Sequence, residues 1–84
     1  MKEYFVTFRS ITFAQRAQSV LHSSGIPGTM QRTPRWMEEK GCGYSLRLPA
    51  GYAAAAVEQL KHWNVPFSKL YLRGEDGSLE ELQP

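Results

Sequence analysis

The feature that most constrains the fold is a segment that recurs 39 residues later in the chain. Each copy has apolar residues at helical spacing, then a residue that tolerates left-handed backbone (Gly25 or Asn64), then a β-branched residue and a proline. The matching positions are Phe13, Ala14, Ala17, Leu21, Ile26 and Pro27 in the first copy and Tyr52, Ala53, Ala56, Leu60, Val65 and Pro66 in the second. Such an ending releases a helix into an extended segment. The chain therefore has two similar halves, and its one cysteine, Cys42, lies at their junction.

Secondary structure follows from the same patterns. Thr12 with Gln15 three positions later has the form of a capping box, so we expect the first helix to begin at Thr12. The predicted elements are a strand over Tyr4–Phe8, a helix from Thr12 to Gly25, a weaker strand over Gly28–Arg32, a loop over Thr33–Gly41, a strand from Gly43 to Leu48, a helix opened by Pro49 and Gly51 and closed by Asn64, and a strand over Lys69–Arg73.

Alternation along two of these strands indicates which residues face the core. Tyr4, Val6 and Phe8 share one face of the first strand, and Tyr44, Leu46 and Leu48 share the face of the third strand that is expected on the core side. Ser45 and Arg47 then lie on the opposite side, as in a strand that is buried on one face.

Two βαβ-like halves with small alanines facing the sheet predict an α+β protein of ferredoxin-like βαββαβ form. We expect an antiparallel sheet with two helices on one face. The domain spans residues 1–74, and residues 75–84 form a polar tail that frays or adds a short edge strand.

Charge and composition argue against several classes of protein function. A net charge of +2 gives no field that would favour DNA or an anionic membrane as a partner. The sequence has no apolar run of the roughly 18 residues that a membrane span needs. A single cysteine cannot form an internal disulfide, so we expect a cytoplasmic protein whose thiol stays reduced.

Cys42 is the side chain best suited to nucleophilic chemistry, because a thiolate is a soft nucleophile. Gly41 and Gly43 flank it and leave the sulfur uncovered. Arg35, Lys40 or Arg47 could lower the pKa of the thiol from its usual value near 8.5. The alternative reading is a small buried hydrophobic residue, which is the common role of a lone cysteine.

The segment Arg32-Thr33-Pro34-Arg35, followed by Cys42-Gly43, an apolar strand and a short helix, resembles the selenium/sulfur carrier family of small bacterial domains. The resemblance runs from Tyr4 to Tyr71. It implies that Cys42 holds sulfur or selenium as a persulfide or selenopersulfide for hand-over to a partner enzyme.

The resemblance also assigns the surroundings of the cysteine. Thr33, Pro34 and Arg35 would form the turn beside it, and Gly41 and Gly43 would complete the binding set. The chain departs from the family at Lys40-Gly41, where small hydroxyl residues are expected, and the lysine there can act on the sulfur electrostatically.

Such a carrier needs protein partners that donate and accept the chalcogen, but it needs no cofactor and no general base in the same chain. The chain is then a carrier or accessory protein rather than a stand-alone enzyme. Arg35 is our candidate for stabilising the anion, and Trp36 is our candidate for partner contact. A solvent-exposed Arg35 and a Trp36 folded onto its own core are the alternatives.

Two other functions remain open. The first is a non-catalytic interaction or dimerisation module that pairs through a sheet edge, with Cys42 buried and structural. The second is an RNA-binding domain, since Lys40–Tyr44 is similar to an RNA-recognition motif, but Tyr44 is expected on the core side rather than on the base-stacking side. One cysteine with the dispersed His22 and His62 predicts no metal site.

Overall fold

The computed structural model describes residues 2–33 and 43–82, and in these ranges a five-stranded sheet carries two α-helices. The elements are β1 (Glu3–Thr7), α1 (Ile11–Ser23), β2 (Thr29–Arg32), β3 (Tyr44–Pro49), a 3₁₀ turn (Ala50–Tyr52), α2 (Ala53–His62), β4 (Leu70–Arg73) and β5 (Leu79–Leu82). Within the described ranges, neither helix is long and apolar enough to cross a membrane.

The sheet has the strand order β2-β3-β1-β4-β5, and every neighbouring pair is antiparallel. Val6 at its centre is paired with Leu46 on one side and with Leu70 on the other. The first four strands and the two helices follow the predicted βαββαβ order, which confirms the α+β, ferredoxin-like fold. β5 extends the sheet beyond β4, so part of the polar C-terminal segment is an edge strand.

The main core lies between the helices and one side of the sheet. Its buried residues form one cluster: Tyr4, Val6, Phe8, Ala14, Ala17, Leu21, Ile26, Leu46, Leu48, Ala56, Leu60, Val65 and Leu70. Alternate residues of β1 share this cluster with the apolar stripes of both helices, so the two helices pack on the same face of the sheet. Burial of these groups from water supplies most of the favourable free energy of folding.

The opposite face of the sheet is also buried near its centre. Phe5 and Tyr71 form a second cluster there, and Thr7 and Ser45 are buried as well. The prediction that β3 is buried on one face only is therefore wrong at Ser45, which is fully buried, although Arg47 is exposed. Alternation identifies the residues that share a face, but it does not report what covers that face.

The beginning of α1 differs from the prediction. Ser10 has extended backbone and is the N-cap, since its Oγ accepts a 3.3 Å hydrogen bond from the backbone N–H of Phe13. Thr12 lies inside the first turn of the helix rather than at its cap. A capping hydroxyl is effective only on a residue with non-helical backbone, and Ser10 is in that conformation two residues earlier.

The two helices end in the same way, as the repeat predicts. Gly25 has φ of +75°, and the following residue donates its N–H to the Leu21 carbonyl at 2.9 Å. Asn64 has φ of +55°, and the following residue donates to the Leu60 carbonyl at the same distance. These bonds close each helix with the pattern of a Schellman motif.

Candidate functional site

The connection between β2 and β3 leaves the sheet at Thr33 and returns to it at Gly43. The backbone N–H of Thr33 donates a 2.8 Å hydrogen bond to the carbonyl of Gly43, and both residues are buried. This bond joins the two ends of the connection. The structure thus brings together two predicted site residues, Thr33 and Gly43, which are covalently attached to Pro34 and Cys42.

The other predicted site residues are not among those that the structure describes. Residues 34–42 lie outside the described ranges, and these include Pro34, Arg35, Trp36, Lys40, Gly41 and Cys42. Their roles stay predictions.

Gly43 has a specific conformational role at the start of β3. Its φ of +83° lies in the left-handed region, which side chains with a Cβ adopt at a cost of about 1–2 kcal/mol. Glycine removes that cost and lets the chain turn directly into the strand at Tyr44. The second residue of the Cys-Gly pair is therefore explained by backbone geometry.

Arg32 is a cationic residue next to this connection that the sequence did not single out as a charge near the thiol. It is the last residue of β2 and is paired in register with Tyr44 of β3. Its guanidinium carbon lies 5.5 Å from the centroid of the Tyr44 ring, within the range of a cation–π interaction. The register of an antiparallel hairpin is the signal that could have found it, because the residue before Thr33 must face the residue after Gly43.

Arg47, which the sequence suggests as a charge near Cys42, lies on β3 beside a carboxylate, and Cys42 itself lies outside the described residues. Arg47 is four residues beyond Gly43 on an extended strand, which places its backbone about 13 Å from Gly43 at about 3.3 Å per residue. Its Nε lies 3.4 Å from Oε2 of Glu3 on β1. The strand carries this guanidinium away from the connection, and a carboxylate partner is present there.

Ser45 is a second feature of this region that the sequence did not reveal. Its Oγ is fully buried and has no hydrogen-bond partner among the residues that the structure describes. Its register partner on β1, Thr7, has its hydroxyl satisfied, since Oγ1 accepts a 3.0 Å bond from the backbone N–H of Lys69. An unpaired buried hydroxyl lowers the stability of a folded protein by about 1–3 kcal/mol. The Ser45 hydroxyl is therefore a group on the helix-free face of the sheet that could still form a hydrogen bond.

The histidines have local roles at the helix ends. His22 Nε2 lies 3.1 Å from the carbonyl oxygen of Gly28, across the turn that leads into β2. His62 packs against Trp63 in an edge-to-face arrangement, with ring centroids 5.3 Å apart. Across residues 2–33 and 43–82, no group of three His, Cys, Asp or Glu residues could hold a metal ion.

The parity of β3 bears on the RNA-binding alternative. Leu46 and Leu48 lie in the core cluster under the helices, and Tyr44 shares their side of the strand. Base stacking in RNA-recognition domains uses aromatic residues on the helix-free face of the sheet. The orientation of Tyr44 therefore disfavours that alternative, as expected from the alternation along the strand.

Comparison with known proteins identifies a family for this chain. A family model described as "Putative Se/S carrier protein-like" matches residues 3–72. No curated protein and no solved structure matches the chain. The matched range extends from the first strand to β4 and includes both ends of the β2–β3 connection.

Proposed function

Because the chain belongs to the Se/S carrier protein-like family, we propose that it holds sulfur or selenium on Cys42, as a persulfide or selenopersulfide, for hand-over to a partner enzyme. The observation that carries this proposal is the family match over residues 3–72, a range that includes Cys42. We place the protein in the cytoplasm, where thiols stay reduced.

The chemistry is a pair of exchange reactions at sulfur. The Cys42 thiolate attacks the outer sulfur of a donor persulfide, so that a new S–S bond forms on Cys42 while the donor S–S bond breaks. The bonding electron pair leaves on the donor as a thiolate, and there is no net oxidation or reduction. A nucleophile of the acceptor enzyme then attacks the outer sulfur of the Cys42 persulfide, takes that sulfur and restores the Cys42 thiolate. Selenium follows the same two steps.

Several features next to the connection support this role. The Thr33–Gly43 hydrogen bond holds the two ends of the connection at a fixed separation. Gly43 has no side chain to cover the neighbouring sulfur, and Arg32 contributes a positive charge at the end of β2. A nearby cation favours thiolate over thiol, and thiolate is the reacting form.

Residues inside the connection complete the proposed site. Pro34 shapes the turn with Thr33, and Gly41 leaves room beside the cysteine. Arg35 stabilises the anionic sulfur, Lys40 adds a second charge, and Trp36 contacts the partner.

The competing function is a non-catalytic interaction module with a structural cysteine. Strands β2 and β5 favour it, because each lies at an edge of the sheet and is paired with one neighbouring strand among the described elements. An edge strand presents unpaired N–H and C=O groups to a second chain, which could be another copy of this protein.

Alkylation of the native protein separates the two functions. With a maleimide probe, a carrier cysteine reacts within minutes near neutral pH, and its rate rises with the thiolate fraction as the pH increases. A structural cysteine reacts only after the protein is unfolded in denaturant, and that result would exclude the carrier role. The Cys42→Ser variant has no thiol and gives the background of the assay.

A further inference from the structure

The C-terminal halves of α1 and α2 form a groove with a volume of about 620 Å³. It is lined by Ser19, Val20, Ser23 and Ser24 on one wall and by Glu58, Gln59, His62 and Trp63 on the other. Each residue of the second wall stands 39 positions after a residue of the first, so equivalent positions of the internal repeat line the two sides. Oγ of Ser24 donates a 3.1 Å hydrogen bond to Oε1 of Gln59 and links the walls.

The two walls differ in chemistry although their backbones are equivalent. The α1 wall has three small hydroxyl side chains, whereas the α2 wall ends in Trp63, which is 56% exposed. Tryptophan is enriched among the residues that dominate binding energy at interfaces, because its ring is large and its conformational entropy is low. The groove therefore combines a large exposed aromatic residue with polar groups around it.

The electrostatics of the groove favour a cation. Both helices end at this groove, and each helix C-terminus carries a partial negative charge equivalent to roughly half an elementary charge. Glu58 is the one formally charged side chain among the lining residues when histidine is neutral. Lys61 lies in the last turn of α2 but is not among them. Glu58 and the two helix C-termini give the lining a negative charge, which is complementary to a positively charged group.

We propose that this groove binds an arginine side chain of a protein partner. The guanidinium plane stacks on the Trp63 indole, and the Glu58 carboxylate accepts hydrogen bonds from its N–H groups. A lysine would supply the charge but not the planar, forked donor set. The choice of a protein as the partner rests on the proposed carrier function, whereas the selection of a guanidinium rests on the groove.

The test is an NMR titration of the ¹⁵N-labelled full chain with two blocked peptides. Acetyl-Gly-Arg-Gly-amide is the probe, and its matched control carries citrulline, which has nearly the same shape but no charge. We expect the arginine peptide to shift the Trp63 indole N–H signal saturably in the millimolar range, at least fivefold more tightly than the citrulline peptide. Trp63→Ala and Glu58→Gln should each lower the affinity at least threefold, measured on the backbone N–H signals of Ser24 and Gln59 in the groove, because Trp63→Ala has no indole signal at this position. Tyr52→Ala, an exposed aromatic outside the groove, should leave it unchanged.

Three results would overturn the proposal. The two peptides could shift the signal equally, or neither could bind saturably. A shift of the Ser24 and Gln59 backbone N–H signals that depends on protein concentration without peptide, and that is lost in Trp63→Ala, would show that a second copy of the chain occupies the groove instead. None of these results depends on Cys42, so persulfide loading of that residue, measured on the same variants, reports separately on the carrier function.

Discussion

The backbone N–H of Thr33 donates to the carbonyl of Gly43 over 2.8 Å, and this hydrogen bond closes the connection that contains Cys42. Gly43 can make the bond because its φ is +83°, a conformation that turns the chain directly into β3. The stability of this corner thus depends on glycine at position 43 for a backbone reason that is independent of any chemistry at the sulfur.

Replacing Gly43 tests that dependence. Gly43→Ala should lower the free energy of unfolding by about 1–2 kcal/mol, since alanine must be held in the left-handed region. Urea unfolding followed by circular dichroism measures the change. Gly51→Ala is the matched control, because a Cβ at Gly51 meets nothing within 4 Å and its φ is not positive. If the two variants have the same stability, the strain attributed to position 43 is absent.

Ser45 and Thr7 form a matched pair of buried hydroxyls in register with each other. Ser45→Ala removes a hydroxyl without a partner among the described residues, so we expect the free energy of unfolding to rise by up to about 1 kcal/mol. Thr7→Val removes the acceptor of the Lys69 N–H and should lower it by about 1 kcal/mol. Both changes are measured by chemical denaturation. A loss of stability in Ser45→Ala would mean that this hydroxyl is satisfied.

The buried phenol of Tyr4 should make the folded protein less stable at alkaline pH. Burial raises the pKa of Tyr4 from its ordinary value of 10.0 to about 12. Between these two values the unfolded chain loses the phenolic proton while the folded protein keeps it, so the folded state is progressively disfavoured as the pH rises. Well below pH 10 the group contributes no pH dependence, because the phenol is protonated in both states. The denaturation midpoint should therefore fall more steeply from pH 9 to pH 11 in the native sequence than in Tyr4→Phe, and equal slopes would contradict a buried phenol.

Much of the fold could be predicted, because both copies of the repeat end their helix in the same backbone conformation. Gly25 and Asn64 end their helices with the same hydrogen bonds, and the apolar residues Ala17, Leu21, Ala56 and Leu60 of the two copies lie in the observed core. The first residue of α1 was harder to predict, because Ser10 and Thr12 both carry a hydroxyl that can cap a helix. Which of the two is the N-cap depends on the backbone conformation. The burial of Ser45 could not be inferred from alternation, because alternation shows which residues share a face of the sheet but not what covers that face.

The described residues test the candidate site at its two ends, Thr33 and Gly43. A strand on each side of Cys42 implies that Thr33 and Gly43 come together, and they do. Charges near the thiol were assigned in part by proximity along the sequence, but an extended strand separates residues by about 3.3 Å per position, so the backbone of Arg47 lies about 13 Å from Gly43. Arg32 lies closer to the connection through cross-strand register, a relationship that requires the pairing to be known.

The most direct test of the carrier function is the intact mass of the protein after incubation with a persulfide donor, such as glutathione persulfide, and removal of excess reagent. A carrier cysteine should give a mass increase of one sulfur atom that is absent in Cys42→Ser and is reversed by a reducing thiol. A native, folded protein that gains no sulfur, or that gains it equally in Cys42→Ser, would contradict the account.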